Sequence, residues 1–316
     1  MNDGAANASS GEMTGNAGLR TSLRSSLRLP VVVAPMFLVS GPALVTAACR
    51  AGVIGSFPTL NARDGSILES WLEQIAAETA GHAPYAANLI LHRSNPRRDS
   101  DLDMIVKHKV PVVIASVGAP DEVVRRVHAY GGLVLADVAS LRHAKKAAAA
   151  GVDGLILLTA GAGGNTGWLN PFAFVAAVRN FFAGPIAVAG CLTNGRELRA
   201  IEMLDADIGF MGSAFLAASE SMAPAEHKQA VVASGADDIV LTDAVTGLPA
   251  NFIRSRLAEA GLVQPDGRIE RMPGANDILS WKNVWSAGQG IGPISAVEDT
   301  ATIINRLEAA YLAARG

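Results

Sequence analysis

The feature that most constrains this chain is a regular alternation of short apolar runs with Ala-rich segments of helical periodicity. Eight such runs occur before residue 212, and each is short, continuous and apolar, which is typical of strands buried on both faces. The eight runs cover residues 31–34, 53–56, 86–90, 110–115, 133–136, 154–158, 185–189 and 208–211.

Eight strand-then-helix units predict an α/β protein built as a closed (β/α)8 TIM barrel. An open doubly wound sheet is the alternative. It would normally carry a glycine-rich fingerprint after its first strand, and Pro35-Met36-Phe37 is not one.

The helical segments divide the chain further. Helices are predicted over Val138–Ala150 and over Asn194–Leu204, with Asn194 as N-cap. We expect a flexible tail over 1–26, with room for a short helix around Leu23 and Leu27, and the barrel over 27–218. A helical elaboration that acts as a lid is expected over 219–290, including a helix at Ile253–Ala260. A closing helix within 291–316, from Val297 to Ala314, completes the barrel.

Composition excludes several function classes. Half of the residues are apolar, 17% are charged and the net charge is −3, which argues against a nucleic-acid scaffold. No Lys/Arg run suggests a membrane surface, and no apolar stretch of about 18 residues predicts a membrane span. The only cysteines, Cys49 and Cys191, do not form a disulfide framework. Without a secretory signal, the expected location is therefore the cytoplasm.

In such barrels, ligands bind where the strands end. Two glycine-bearing turns, 189–196 and 211–215, follow the seventh and eighth predicted strands. Glycines let backbone N–H groups converge, and helix starts add positive dipole ends, so these turns can cradle a phosphate without basic side chains. Ordinary tight turns are the alternative.

The stretch Thr159–Pro171 follows the sixth predicted strand and contains Gly161, Gly163, Gly164 and Gly167. A glycine-rich loop beside a phosphate cradle suits a flat ring system whose edge is bonded by backbone. FMN fits that description, and a loop that is merely flexible is the alternative.

Here the residues carry a resemblance. Over about Leu29–Leu216, and again at 285–290, the chain resembles the nitronate monooxygenase family, once called 2-nitropropane dioxygenases. These FMN-dependent barrels are also similar to FMN-type enoyl reductases and to a group of NADH:quinone reductases. The matching pieces are residues 34–36, 88–89, 142–144, 151–153, 162–164, 190, 195–196 and 211–213.

The resemblance implies roles for individual residues. Pro35 and Met36 would line the flavin ring, and Asn88 and Ser116 would bond near its ring or ribityl side. Gly163 and Gly164 would approach the flavin by backbone. The phosphate would be held by Gly190, Cys191, Gly212 and Ser213.

The chain departs from the family pattern at Asn165, where relatives often carry a His proposed to handle a proton. An amide does not titrate near neutrality, so Asn165 cannot be a general base, although it can donate N–H bonds to a nitro or carbonyl oxygen.

A second departure is Asp137, where relatives carry a Lys near the flavin. An ionised carboxylate opposes an anionic reduced flavin. Asp137 could instead accept a bond from the flavin, be protonated, serve as the base of the site, or simply cap the following helix. A third departure is Cys191, in place of a second Gly. If its N–H faces the phosphate, we expect its side chain to point into the core.

Two further side chains are candidates for the substrate pocket. His92 follows the third predicted strand and is the one His considered for a proton role. Trp168 can wall the space over the flavin, together with Phe172, although core packing is an equal alternative. Met222 and the segment 243–249 can cap the mouth. No His/Cys/Asp/Glu grouping in the sequence has metal-ligand spacing.

The function implied by the resemblance is oxidation of small alkyl nitronates with O2 to carbonyl compounds and nitrite. A nitronate is already deprotonated, so this route needs no base, and we expect poor activity on neutral nitroalkanes. The alternatives are an FMN-dependent NAD(P)H:quinone or enoyl reductase and a catalytically inert flavin-binding barrel.

Overall fold

The computed structural model describes residues 15–271 and 284–315. Eight parallel strands close into a barrel in chain order, and the last pairs with the first, so that Val32 lies opposite Phe210. The TIM-barrel prediction is confirmed. With strands numbered in chain order, the barrel consists of β1 (Val31–Val33), β2 (Ile54–Pro58), β3 (Tyr85–Ile90), β4 (Val112–Ser116), β5 (Leu133–Val138), β6 (Gly154–Leu158), β8 (Ile186–Ala189) and β9 (Ile208–Met211).

Helices follow these strands around the outside. Several begin at side-chain caps, including Asp64, Ser140 and Asn194, and Asn194 forms a capping box with Glu197. The helices are α1 (Ala17–Ser26), α2 (Pro42–Arg50), α3 (Gly65–Glu78), α4 (Arg98–Lys107), α5 (Asp121–His128), α6 (Leu141–Ala149), α7 (Pro171–Arg179), α8 (Gly195–Met203), α9 (Ser213–Leu216), α10 (Ala225–Ala233), α11 (Arg254–Glu259) and α12 (Thr300–Ala313). Within the described ranges, 3₁₀ turns cover Thr59–Asn61, Ala236–Asp238 and Gln289–Ile291.

Two apolar cores hold these layers together. The larger lies between the strands and the surrounding helices, and the smaller fills the barrel interior. On each strand, alternate residues point inward because the side-chain period is two. On β5 the inward series begins with Leu133, which packs against the interior cluster, and Leu135, which belongs to it, and the next inward position is Asp137.

The segment expected to be a flexible tail contains helix α1, which lies against the barrel interior. Leu23 and Leu27 are buried in the interior cluster, because the apolar inward residues at this end need a cover. Arg20 donates to Asp207, which also binds Arg179 and is 1% exposed. Residues 1–14 of the expected tail lie outside the described residues.

The sequence predicted a helical elaboration after β9, but this segment also contains strands. It contributes β10 (Ile239–Thr242) and β11 (Ala250–Ile253) to an antiparallel sheet. The third strand of that sheet is β7 (Gly164–Asn165), which comes from the loop after β6. The sheet forms because the backbone of Gly164 and Asn165 pairs with β11, which is far away in sequence. Residues 272–283 and 316 lie outside the described part.

In the described ranges 15–271 and 284–315, no helix combines the length and the apolar character needed to cross a bilayer.

Candidate active site

A cavity of about 740 Å³ opens where the barrel strands end. Its floor is the last inward residue of each strand. That layer is small or apolar at Ala34, Leu158, Ala189 and Phe210 but polar on β3, β4 and β5. The volume lies within the usual range of ligand clefts, and the position agrees with the general rule for such barrels.

The polar part of the floor is a hydrogen-bonded row of Asn88, Ser116 and Asp137. Asn88 Nδ2 donates to Ser116 Oγ at 2.7 Å, and the Ser116 hydroxyl donates to Asp137 Oδ2 at 2.5 Å. Burial raises the pKa of Asp137 to about 6, against hydrogen bonds from Ser116 and the Val117 backbone that lower it. Because Asp137 lies within β5 and Ser140 caps α6, the helix-cap alternative for Asp137 is wrong.

The loop after β1 forms one wall, with Pro35 and Met36 against the cavity. Asn61 holds this loop from behind: its Nδ2 donates to the carbonyls of Met36 and Ser40, and its Oδ1 accepts from Leu38. The two residues that the sequence placed against a flavin ring therefore lie in a loop that is fixed by three hydrogen bonds to the buried Asn61 side chain.

The turns after β8 and β9 present backbone donors to the same cavity. Within the described residues, the N–H groups of Cys191, Leu192, Gly212 and Ser213 have no protein acceptor. Gly190 and Cys191 have consecutive positive φ angles of 129° and 57°, which bend the chain around the cavity. Unpaired N–H groups at a helix start, as at α9, suit an anion.

Cys191 departs from its predicted side-chain position. Its side chain is exposed and lines the cavity instead of entering the core, because the positive φ turns it outward. Partial burial of the sulfur, and to a smaller extent Glu197, raise the pKa of the thiol. A reactive thiolate is therefore disfavoured.

Gly163 and Gly164 lie at the cavity wall. The sequence predicted that the backbone here lies close to a flavin, and in the structure the backbone at Gly163 also lies close to another part of the chain. A Cβ added at Gly163 would lie 2.7 Å from the backbone nitrogen of Gly288, so two main chains already touch there. The Asn251 side chain on β11 donates to the Ala162 carbonyl at 2.7 Å and so fixes the residue directly before Gly163 and Gly164. Asn165 follows in β7, is exposed, and also lines the cavity.

Of the residues predicted to line the substrate pocket, His92 lines the cavity, whereas Trp168 and Phe172 do not. His92 lies on the cavity rim, exposed, with its Nδ1 2.7 Å from Ser94 Oγ. Trp168 is 79% exposed and Phe172 66%, and neither is among the residues that line the cavity. The expectation that Trp168 forms a wall over the flavin, or packs in the core, is therefore wrong. The chain bends at Trp168 and Leu169, and the Trp168 side chain lies outside the cavity lining.

The sequence missed His227. It is buried on α10, lines the cavity and stacks on Trp285 with ring centroids 4.7 Å apart. Burial lowers its pKa to about 4, against a backbone hydrogen bond with Ser286, and nearby Arg256 contributes to the lowering. Its Nε2 has no partner among the described residues. The capping segment 243–249 does reach the cavity, through Thr246, Gly247 and Leu248.

With this geometry in place, comparison with known proteins identifies the family. A family model for nitronate monooxygenase matches residues 86–265, more than half of the chain. The chain belongs to the nitronate monooxygenase family. It is an enzyme of the flavin-dependent oxidoreductase class.

Relatives within and near the nitronate monooxygenase family differ in activity. The chain is 28% identical to (3aS,4S,5R,7aS)-5-hydroxy-7a-methyl-1-oxo-octahydro-1H-indene-4-carboxyl-CoA dehydrogenase of Rhodococcus jostii, over 77% of this chain and 68% of that one. It is 25% identical to a nitronate monooxygenase of Paraburkholderia phytofirmans, over 79% and 80% of the two chains. The structure of nitroalkane oxidase from Streptomyces ansochromogenes superimposes with a TM-score of 0.80 at 25% identity, over 93% of this chain and 99% of that one.

The described cavity fits the flavin that the nitronate monooxygenase family implies. Over residues 15–271 and 284–315 the lining contains no Lys or Arg, so a phosphate held by these residues would depend on backbone donors, and four donors without a protein acceptor in those ranges are present. At Gly163 and Gly212 no side chain covers the main chain where it lines the cavity. The contacts of individual residues with the cofactor stay predictions.

Proposed function

We propose that this enzyme binds FMN and oxidises small alkyl nitronates with O2, giving carbonyl compounds and nitrite. The observation that carries the proposal is a cavity that combines unpaired backbone donors for one phosphate with an amide, Asn165, in the loop where relatives often carry a His. A single phosphate cradle favours a mononucleotide over a dinucleotide.

Bound flavin supplies the electron transfer between substrate and O2. The residues of the chain do the rest. The N–H groups of Cys191, Gly212 and Ser213 hold the phosphate, and Gly163 and Gly164 let the main chain lie against the ring.

The Asn165 side chain donates an N–H bond to a nitronate oxygen, and the amide needs no change of protonation to do so. The nitronate arrives as an anion, so its oxidation requires no proton removal. Leu248 and Trp285 form apolar walls that limit water around it.

The overall reaction balances as two nitronates and one O2 giving two carbonyl compounds and two nitrites. In the test, the purified protein is denatured to release its flavin, which chromatography identifies. The holoenzyme is then mixed anaerobically with the nitronate of 2-nitropropane. Bleaching of the flavin absorbance, followed in air by nitrite formation at twice the O2 consumption, is the expected result.

A second candidate is a hydride-transferring flavin oxidoreductase, and the observation favouring it is the match to the Rhodococcus jostii carboxyl-CoA dehydrogenase. Reduction of a quinone or enoyl substrate by NAD(P)H belongs to the same class. Anaerobic bleaching by NADH or NADPH but not by the nitronate would favour this candidate. Bleaching by no donor would indicate an inert flavin-binding barrel, and a protein that binds no FMN would refute all three.

A further inference from the structure

The polar floor of the cavity contains a carboxyl group that the proposed nitronate reaction does not use. Asn88, Ser116 and Asp137 are the inward residues at the ends of three neighbouring strands, and all three line the cavity. Among the described residues, Asp137 is the only carboxyl side chain in that lining.

The hydrogen bonds between these residues have one possible direction. Asn88 Nδ2 carries only donors and bonds both the Ile114 carbonyl, at 3.0 Å, and Ser116 Oγ. Ser116 Oγ therefore accepts from Asn88 and commits its own proton to Asp137 Oδ2. The row and the hydrogen bond from the Val117 backbone fix the orientation of the carboxyl group, which lines the cavity.

No cation neutralises this carboxylate within the described residues. None of the ion pairs among these residues includes Asp137, and its neighbours on the adjacent strands β4 and β6 are Ser116 and Ile156, which carry no charge. In the described part of the lining, the other titratable groups are His92, Cys191 and His227. With its pKa raised to about 6, Asp137 is ionised at neutral pH and still basic enough to accept a proton.

We propose that Asp137 is the general base of this site and that its substrates include neutral carbon acids, with nitroalkanes as the first class. Resting on the proposed function, this step precedes the oxidation: the α C–H bond breaks and the proton moves to the Asp137 carboxylate. The bonding pair forms the C=N bond while a nitro oxygen takes the negative charge. The product is the bound nitronate. The step is not a redox reaction and needs no co-reactant.

This inference changes the expectation drawn from the sequence. The Gly163-Gly164-Asn165 loop lacks a base, which predicted poor activity on neutral nitroalkanes. The floor of the barrel supplies a base from β5, the strand adjacent to β6, whose following loop is the place that the family pattern indicates.

The test is exchange of the α-hydrogen, because it needs neither O2 nor flavin reduction. The holoenzyme is incubated anaerobically with 2-nitropropane in D2O, and proton NMR follows the C2–H signal against a protein-free control. We expect exchange that rises with pH through about 6 and then levels off. Asp137→Asn should slow it by about 100-fold or more.

A second variant tests the hydrogen-bonded row. Ser116→Ala removes a donor that stabilises the carboxylate, so the pH profile of exchange should move to higher pH. A purely structural role for Ser116 would lower the exchange rate without moving the profile. Flavin absorbance and circular dichroism establish that each variant is folded, and Asp137→Glu, which keeps a carboxyl group, should retain measurable exchange.

Absence of exchange in the wild type, or unchanged exchange in Asp137→Asn, would overturn the inference. Oxidation of the nitronate without exchange would refute Asp137 as base and leave the proposed function standing. Exchange without nitrite formation would refute the proposed function and leave the base in place.

Discussion

The variant Gly212→Ala distinguishes an effect on FMN affinity from an effect on the stability of the protein. A Cβ at Gly212 would lie 3.6 Å from both Ala34 Cβ and Met36 Sδ, which is ordinary van der Waals contact. Its φ of −100° also suits alanine. We therefore expect the unliganded variant to keep its stability within about 0.5 kcal/mol.

The FMN affinity of Gly212→Ala should fall, because the added methyl group sits at the turn whose N–H groups are proposed to hold the phosphate. Loss of one hydrogen bond to a charged group costs about 1.5–3 kcal/mol. That cost corresponds to roughly a 10- to 150-fold increase in Kd. The assay is titration of the flavin-stripped protein with FMN, followed by quenching of flavin fluorescence.

Two companion variants complete the design. Gly163→Ala would place a methyl 2.7 Å from the Gly288 nitrogen, so both stability, by about 1–3 kcal/mol, and FMN affinity should fall. Gly65→Ala has no heavy atom within 4 Å of the added carbon and should reduce neither. An unchanged Kd in a folded Gly212→Ala protein would refute a phosphate site at the end of β9.

Three other predictions concern charge and burial. Arg179→Met should lower the free energy of unfolding in urea, near the low end of about 3–5 kcal/mol, because Asp207 is 1% exposed but keeps Arg20; an unchanged urea midpoint would contradict this. The folded pKa of His227, about 4, lies below its ordinary value of 6.5, so its neutral form contributes stability that is lost as pH falls between those values. The wild type should therefore lose thermal stability relative to His227→Gln over that range, and parallel curves would contradict it. The Cys191 thiol, with its raised pKa, should react with iodoacetamide at pH 7 more slowly than the thiol of glutathione does, although its side chain is exposed. A faster reaction would contradict the raised pKa.

The barrel could be predicted because its signals are local. Each strand is a short apolar run whose burial on both faces follows from composition, as in residues 154–158, and Asn194 caps its helix through neighbours three residues away. The clustering of glycine turns at one end of the barrel also followed, since parallel strands bring their carboxyl ends together.

The remaining features depend on contacts that no local pattern encodes. Strand β7 has two residues and exists only because β11, more than eighty residues later, pairs with it. His227 reaches the cavity through its stacking on Trp285, which the helical pattern of α10 does not reveal. For Asp137 a signal did exist: alternation from Leu133 and Leu135 places it inside the barrel, and this outweighs its resemblance to a helix cap.

The small sheet formed by β7, β10 and β11 has a consequence for how such enzymes diversify. The sheet joins the loop after β6, the proposed cofactor loop, through main-chain pairing at Gly164 and Asn165 and through one side chain, Asn251, which donates to the Ala162 carbonyl. Side chains facing the substrate from the wall can therefore change freely while the cofactor loop keeps its register. Substrate preference and flavin binding can evolve at separate rates in this architecture, and exchange of whole wall segments between relatives should preserve the cofactor wherever the pairing length at β11 is kept.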